Sequence, residues 1–324
     1  MNKAPIFVNG VQRSGTTLVI RMLSRSNEVK FFPRETHLFP LLWSLGDQTK
    51  SFADAHAFSK FVKENFPKVN NGWTEELPYL EEICQHIIEK NFVPASTIDA
   101  LDFLLTNWQE KFPEAHVGEK TPAHIYYAEE IFKKYPNAMF IITVRDPRAI
   151  ALSEMVKLSE NKRSHSKFNL FSFIVRWASA HALAKRWVKK YGTERIKYLL
   201  YEDIVRHPEE TVRSICSFVG VDFQQEMLEV GVVNSSFKDK EQTDKKFNTE
   251  NLDRWKTGLD ENQVAVIQHH LGDSMKELGY EVIPANTSHM KNQLKNSIKL
   301  KVAMLVCHSY PAYFHHLNRN EKYK

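Results

Sequence analysis

The sequence predicts an α/β protein of three layers, in which a mainly parallel sheet lies between helices and carries a helical insertion. Two observations lead to this fold class. Short apolar strands alternate along the chain with amphipathic helices, and such strands pair in parallel with helices on both faces of the sheet. One strand, residues 138–144, is apolar and rich in β-branched residues along its length, which is typical of a strand buried on both faces.

Three strand–helix units support the parallel sheet. The first strand covers residues 5–9, ends at Gly10, and is followed after a loop by a helix-like apolar stripe. The second covers 138–144, and Asp146 and Pro147 behind it form an N-cap and N1 pair for a helix to about residue 158. The third covers 196–201 and precedes a helix from Pro208 to about residue 219.

Residues 1–284 are predicted to form one domain. Within it, about residues 40–115 show mostly helical patterns, which predicts an insertion over the carboxyl edge of the sheet, where such folds bind ligands. The last helix covers 263–278 and stops at Gly279. Residues 285–324 form a C-terminal tail of unknown role, for which docking or disorder is favoured over binding to an anionic membrane.

Composition excludes several classes of protein. The 324 residues are 42% hydrophobic and 26% charged, and 11 Gly with 13 Pro exclude collagen and low-complexity chains. A net charge of +5 fits an anionic small molecule better than nucleic acid. Three widely spaced cysteines predict a reducing compartment and no zinc site. The first residues show no signal peptide and no apolar run approaches ~18 residues, so we expect a cytoplasmic protein without a transmembrane segment; nothing indicates its oligomeric state.

The strongest local motif is the loop between the first strand and its helix. From Gly10 to Thr17 it matches both glycines and the final hydroxyl of the P-loop pattern GxxxxGK[ST], but Thr16 replaces the lysine. In this position a loop presents backbone N–H groups and the positive end of a helix to a phosphate, which predicts a P-loop NTPase-like nucleotide site. The alternative is a plain strand-to-helix turn with a Ser or Thr N-cap.

The missing lysine favours a site that does not hydrolyse ATP. A P-loop enzyme that uses ATP needs this lysine on the phosphates, and an aspartate and a hydroxyl around Mg²⁺. The second strand contains no such aspartate, and Asp146 is better used as a helix cap. An anion-binding loop with Arg13 as its cation therefore predicts nucleotide binding without a metal.

Several motifs, in order along residues 5–282, resemble the sulfotransferase family, whose members use 3′-phosphoadenylyl sulfate (PAPS). Residues 13–17 are similar to its 5′-phosphosulfate loop, 145–153 to its 3′-phosphate motif, and 34–39 to the segment with the catalytic glutamate in tyrosylprotein and heparan sulfotransferases. Residues 118–122, 200–204 and 254–280 resemble further family segments. The motifs are closer to these types than to the cytosolic small-molecule branch, which has lysine in the loop.

The resemblance implies roles for individual residues. Glu35 would be the general base, with His37 as the second candidate, and Arg13 and Lys120 would stabilise the transition state. Apolar residues before Glu35 predict that burial raises its pKa. No metal is implied. The nucleotide would be held by Arg13, Ser14, Gly15, Thr16, Thr17, Arg145, Ser153, Tyr201 and Ser236.

The implied activity is metal-independent, in-line transfer of a sulfuryl group from PAPS to an acceptor hydroxyl or amine. The acceptor is a small molecule, glycan, lipid or peptide that the sequence does not identify, and nucleic acid is not expected as a partner. Two alternatives stay open. One is a P-loop kinase or NTPase that acts on a small molecule, and the other is a catalytically inactive nucleotide-binding module.

Overall fold

A five-stranded parallel sheet forms the centre of the fold. Its strands are β1 (Ile6–Gly10), β2 (Val29–Phe31), β3 (His116–Glu119), β4 (Met139–Val144) and β5 (Ile196–Leu200), in the order β2-β3-β1-β4-β5. Every adjacent pair is parallel. The structure, a computed structural model, describes residues 3–44, 52–69, 77–160, 168–230, 247 and 249–284.

Helices connect the strands. The described residues contain α1 (Thr16–Leu23), α2 (Leu38–Ser44), α3 (Ala55–Val69), α4 (Leu77–Glu89), α5 (Thr97–Lys111), α6 (Ala128–Lys134), α7 (Pro147–Glu160), α8 (Leu170–Tyr191), α9 (Tyr201–Arg206), α10 (Pro208–Val219), α11 (Trp255–Gly258) and α12 (Glu261–Glu277). Short 3₁₀ helices cover Pro122–Tyr127, Gln225–Leu228 and Thr249–Leu252. Of the helices described, none is long and apolar enough to cross a membrane.

Side chains of the strands alternate between two apolar cores. In β4, Phe140 and Ile142 belong to the larger core, which includes residues of α3 to α8 and of α12. Met139 and Ile141 belong to the smaller core, which α1 and α10 complete. Because successive strand residues point to opposite faces, the sheet is the middle layer of three. The predicted three-layer α/β fold is therefore confirmed.

Three of the five strands were predicted within one or two residues of their bounds, and two were missed. Strand β5 ends at Leu200, and Tyr201 begins α9 instead of ending the strand. Strands β2 and β3 have three and four residues, too few to show a period. Val29 pairs with His116 at the start of this short parallel pair, so the two strands are defined by each other.

The region predicted as a helical insertion contains α2, α3, α4 and α5. Helix α5 packs on β3, and the indole N–H of Trp108 donates to the carbonyl oxygen of Lys30 in β2 at 3.0 Å. These helices share the larger core with the sheet. The division into a domain over 1–284 and a tail over 285–324 stays a prediction, because the tail lies outside the described residues.

All five strands point the same way, so their carboxyl ends meet at one edge of the sheet. Strand β1 lies between β3 and β4, so the later strands are placed on both sides of it. A ligand site is expected at the carboxyl end of the sheet, at the point where the strand order reverses in this way. Each strand end leads within four residues to a predicted site residue: Gly10 to Arg13, Phe31 to Glu35, Glu119 to Lys120, Val144 to Arg145, and Leu200 to Tyr201.

Candidate active site

The loop after β1 depends on glycine at its start. Gly10 has a φ of 143°, and a Cβ atom there would lie 2.3 Å from the carbonyl oxygen of Thr143. Ser14 closes the loop against β4, because its hydroxyl lies 2.6 Å from the carbonyl oxygen of Val11 and 2.7 Å from the hydroxyl of Thr143. The Ser14 N–H also donates to Val11. Ser14 therefore shapes the loop with both its hydroxyl and its amide.

Helix α1 starts at the end of this loop. Gly15 is its N-cap, with a φ of 95°, and Thr16 and Thr17 are its first residues. N–H groups in the first turn of a helix have no acceptor within the helix, and no acidic residue stands in the first turn of α1 to compete for them. The arrangement fits the binding of a phosphate or sulfate group.

Arg145, directly after β4, is buried and partly paired. Its Nη1 donates to the carbonyl oxygen of Arg13 at 3.2 Å and its Nη2 to that of Asn251 at 3.4 Å. The guanidinium carbon lies 4.3 Å from the centre of the Tyr201 ring. Its Nε is buried without an acceptor among the described residues. A buried guanidinium donor of this kind is suited to an anion such as a phosphate.

Two further contacts join the loop to the region around Arg145. The Nε of Arg13 donates to the hydroxyl oxygen of Ser153 in α7 at 3.0 Å. The ring of Tyr201 lies against Gly15, where an added Cβ would come within 2.5 Å of the ring carbon Cδ2. The structure thus brings together five predicted nucleotide-binding residues: Arg13, Gly15, Arg145, Ser153 and Tyr201. Ser236 lies outside the described residues.

Asp146 is a helix cap, as the sequence predicts. Its Oδ1 accepts from the backbone N–H of Arg148 at 2.8 Å, and the Arg148 guanidinium binds both carboxylate oxygens. Arg148 in turn stacks on Trp255 at 3.7 Å. The carboxylate that a P-loop enzyme would need for Mg²⁺ is therefore engaged in an internal ion pair. No group of three or more His, Cys, Asp or Glu side chains that could hold a metal occurs among the described residues.

Glu35 follows β2, away from Arg145 and Tyr201 at the ends of β4 and β5. It lies between two basic side chains. One carboxylate oxygen pairs with Lys120 Nζ, and the other lies 2.7 Å from His37 Nε2. All three side chains are largely buried, and Glu35 is the most exposed of them at 21%. The three predicted catalytic groups of this flank are thus in direct contact.

The pKa of Glu35 is lower than the sequence predicts. Burial raises the pKa, but the positive charge of Lys120 and then the hydrogen bond and charge of His37 outweigh burial and hold the pKa well below its ordinary value. The expectation of a raised pKa is wrong because it considered only the apolar neighbours of Glu35. The two basic partners come from a separate strand end and from an unusual backbone conformation at His37, with a φ of 48°.

Sequence reasoning missed residues that support this flank. The Asn9 side chain donates to the carbonyl oxygen of Thr121 at 3.1 Å and so ties the end of β1 to the segment after β3. The side chains of Glu119 and His124 lie in contact, 2.8 Å apart, and both are fully buried. Asn251, which contacts Arg145, carries no sequence signal, whereas Glu119 and Thr121 lie in a segment that drew attention by resemblance alone.

Known proteins match this chain over most of its length. A family model described as "Sulfotransferase family" matches residues 5–225. The protein-tyrosine sulfotransferase of Drosophila melanogaster is 27% identical over 228 residues, 69% of this chain and 39% of that protein. Protein-tyrosine sulfotransferase 2 of Gallus gallus is 25% identical over 300 residues, 88% of this chain and 72% of that protein. The chain thus spans well under half the length of the fruit-fly relative.

Solved structures agree on the fold. The sulfotransferase domain from the Synechococcus PCC 7002 olefin synthase has a TM-score of 0.58 at 20% identity, covering 87% of this chain and 97% of that domain. The sulfotransferase domain from the curacin biosynthetic pathway has a TM-score of 0.55, also at 20% identity, and covers 87% and 99%. With a family model over residues 5–225 and this parallel α/β fold, the chain belongs to the sulfotransferase family.

Proposed function

We propose that the protein transfers a sulfuryl group from PAPS to an acceptor hydroxyl without a metal, with Glu35 as the general base. The observation that carries the proposal is the contact of Glu35 with Lys120 at the sheet edge that also holds the anion-binding loop. A carboxylate and an ammonium group beside a phosphate site supply a base for the acceptor and a cation for the developing charge.

The residues around the loop fit the donor nucleotide. The first-turn N–H groups of α1, together with Arg13, would hold the 5′-phosphosulfate. Arg145, whose Nε is buried without an acceptor in the described part of the chain, and Ser153 would hold the 3′-phosphate. PAPS supplies an activated sulfuryl group and a stable leaving group, adenosine 3′,5′-bisphosphate. The chain supplies position and electrostatic stabilisation.

Lys120 controls the strength of Glu35 as a base. While Lys120 and His37 both pair with the carboxylate, its pKa is low and it holds a proton weakly. When Lys120 turns towards negative charge on the donor side of the site, Glu35 loses the positive charge beside one carboxylate oxygen and its pKa rises. The carboxylate then accepts the acceptor's proton, while His37 keeps hold of the other oxygen.

Within the hydroxyl acceptors, we propose a phenol such as a tyrosyl side chain. Glu35 retains His37 at 2.7 Å and so stays a weak base, which suits a phenol with a pKa of about 10 better than a far less acidic aliphatic alcohol. Two relatives support this choice, since both carry the name protein-tyrosine sulfotransferase.

Labelled PAPS tests both proposals with three matched peptides that differ only in Tyr, Ser or Phe at one position. We expect label on the Tyr peptide alone. Label on the Ser peptide would contradict the phenol proposal and leave sulfuryl transfer intact. If label is transferred neither to these peptides nor to a panel of glycans, lipids and small alcohols, sulfuryl transfer itself is contradicted.

Nucleotide binding distinguishes this activity from the two alternatives. We expect adenosine 3′,5′-bisphosphate to bind equally well in EDTA and in Mg²⁺, and ATP with Mg²⁺ to bind more weakly, by calorimetry. Binding that requires Mg²⁺ would favour a kinase or NTPase. Tight bisphosphate binding without any sulfated product would favour an inactive nucleotide-binding module.

The cytoplasmic location stays a prediction, which fractionation of the source cells tests.

A further inference from the structure

A second carboxylate, Glu119, lies beneath the Glu35–Lys120 pair and has no exposed surface. Its Oε1 accepts from the backbone N–H and from the hydroxyl of Thr36, both at 3.1 Å, and from the hydroxyl of Thr121. Its Oε2 lies 2.8 Å from Nδ1 of His124, which is also fully buried. Glu119 therefore joins the segment after β2 to the segment after β3.

The residues that Glu119 holds are the chain neighbours of the proposed catalytic groups. Thr36 stands between Glu35 and His37, and Lys120 stands between Glu119 and Thr121. The Thr121 hydroxyl also accepts from the backbone N–H of His37 at 3.4 Å. A shift of Glu119 would consequently move both sides of the Glu35–Lys120 contact.

The backbone at His37 needs such support. Its φ of 48° lies in the left-handed region, which a residue with a side chain adopts only where its surroundings hold it there. The bonds from Thr36 to Glu119 and from His37 to Thr121 lie directly at this point. In this conformation the His37 imidazole reaches the carboxylate of Glu35, at 2.7 Å.

We propose that Glu119 is a positioning residue: through Thr36 and Thr121 it holds Glu35, His37 and Lys120 in mutual contact, and His124 holds Glu119 in place. The inference rests on the proposed sulfuryl transfer. Burial raises the pKa of Glu119, but His124 and the hydrogen bonds from Thr121 and Thr36 outweigh burial and lower it. Glu119 is therefore the ionised acceptor that three donors require.

Kinetics of three variants test the proposal. Glu119→Gln keeps the size of the side chain and removes its charge, and we expect kcat to fall by about 10- to 100-fold, as when a residue that orients a metal-binding side chain is lost. KM for PAPS and the affinity for the bisphosphate should stay unchanged, because the residues proposed to hold the nucleotide follow β1, β4 and β5 and none of them bonds to Glu119. Thr36→Val loses one bond to Glu119 and lowers kcat, whereas Thr36→Ser keeps the hydroxyl and retains wild-type kcat.

The pH profile separates positioning from mere support of the fold. Among the described residues, the charged groups that shift the pKa of Glu35 are Lys120 and His37. Once Glu119→Gln loosens both, the pKa of Glu35 moves up towards its ordinary value. The acidic limb of the kcat profile then moves to higher pH. The control is His181→Gln, which removes a buried histidine bonded to the Tyr198 hydroxyl at 2.6 Å in another part of the core and should lower stability alone. If Glu119→Gln behaves like this control, the proposal is wrong.

Nuclear magnetic resonance of the histidine imidazoles gives a readout that needs no turnover. The His37 signals are assigned by their loss in His37→Asn. In Glu119→Gln we expect them to move towards their positions in Glu35→Gln, because both changes break the same contact. His37 signals that stay at their wild-type positions in Glu119→Gln would overturn the positioning role. Absence of transfer by the wild-type protein would instead contradict the proposed function.

Discussion

Glu35 owes its chemistry to two basic neighbours more than to its burial. A carboxyl group that is buried alone has a raised pKa, but Lys120 and His37 occupy its two oxygens and reverse the direction. The base is therefore activated by removing a neighbouring charge. In the proposed mechanism, the movement of Lys120 that stabilises the donor would also prepare the base for the acceptor.

Replacing Glu35 by glutamine tests its proposed role as the base. Glu35→Gln keeps the shape of the side chain and removes the base, so kcat for sulfuryl transfer should fall by about 10²–10⁴. The affinity for adenosine 3′,5′-bisphosphate should change little, because the residues proposed to hold the nucleotide follow β1, β4 and β5, whereas Glu35 follows β2. Both quantities are measured on the same preparation, by initial rates and by calorimetry.

His37→Ala is the companion variant for this experiment. It should reduce kcat less than Glu35→Gln, since it removes the group that orients the base and leaves the base. If Glu35→Gln turns over normally and His37→Ala is inactive, the roles of the two residues are the reverse of those proposed.

Arg145 should discriminate between nucleotides by their 3′-phosphate. A charge-assisted hydrogen bond contributes about 1.5–3 kcal/mol, or roughly ten- to a hundredfold in affinity. Arg145→Ala should weaken the bisphosphate by this factor and affect a nucleotide without the 3′-phosphate far less. Arg195→Ala is the control, because Arg195 precedes β5, at the opposite edge of the sheet, and bonds to Asn137. Equal losses for both nucleotides in Arg145→Ala would contradict the assignment.

At the scale of elements, what could be predicted depends on how much pattern an element contains. Strand β4, with six buried residues, was readable from residue types alone. Helix α12 was predicted over 263–278, and its capping box at Asp260 and Gln263 places its start at Glu261 instead. Strand β3 contains His116, a glycine and Glu119, and no local pattern identifies such a strand. It is defined by parallel pairing with β1 and β2, which is information from distant parts of the chain.

Among the site residues, too, those in a local sequence pattern could be predicted and those held by distant contacts could not. The loop residues and Arg145 could be predicted because each follows a strand end in a recognisable motif. The pKa of Glu35 and the network around Glu119 could not, because they depend on contacts between segments 83 and 85 residues apart. Asn251 reaches Arg145 across 106 residues, from a segment that no motif marks.

Gly15 tests the packing of the loop against α9. An alanine Cβ there would lie 2.5 Å from the Tyr201 ring, whereas at Gly220, with a similar positive φ of 75°, nothing lies within 4 Å. Gly220→Ala should cost only the backbone strain of about 1–2 kcal/mol in the free energy of unfolding. Gly15→Ala should cost more and also weaken bisphosphate binding, measured by urea unfolding and calorimetry. Equal costs and unchanged binding would show that Tyr201 yields without consequence.

At the scale of the molecule, buried carboxylates should make its stability depend on pH. Glu35 and Glu119 have lowered pKa values in the folded state, so below the ordinary value of 4.5 the unfolded chain binds more protons. The free energy of unfolding should therefore fall as the pH drops from 5 to about 3. Urea unfolding at a series of pH values measures this slope.

Two glutamine variants should change that slope in opposite directions. Glu35→Gln removes a group with a lowered pKa and should flatten it. Burial raises the pKa of Glu202 despite its bonds to Asp146 and Tyr280, so this group stabilises the fold at low pH and loses that contribution as the pH rises above 4.5. Glu202→Gln should therefore steepen the slope. A common effect of both variants would contradict these directions.

Removal of residues 285–324 tests the boundary predicted after Pro284. All described residues of the site precede this point, so the truncated chain should bind adenosine 3′,5′-bisphosphate as tightly as the full chain. Sedimentation with anionic vesicles should be equally weak for both. Vesicle binding by the full chain that disappears on truncation would instead assign the tail to a membrane surface.

The order of the strands has a consequence for how such a protein diverges. Contacts suited to the nucleotide lie at the ends of β1, β4 and β5, while Glu35 and Lys120 follow β2 and β3, the two strands between which α2 to α5 are inserted. Substitutions in those helices therefore reach the flank of Glu35 and Lys120 without altering the opposite one. Under the proposed function, selection can therefore change the acceptor of such a protein while the donor stays the same.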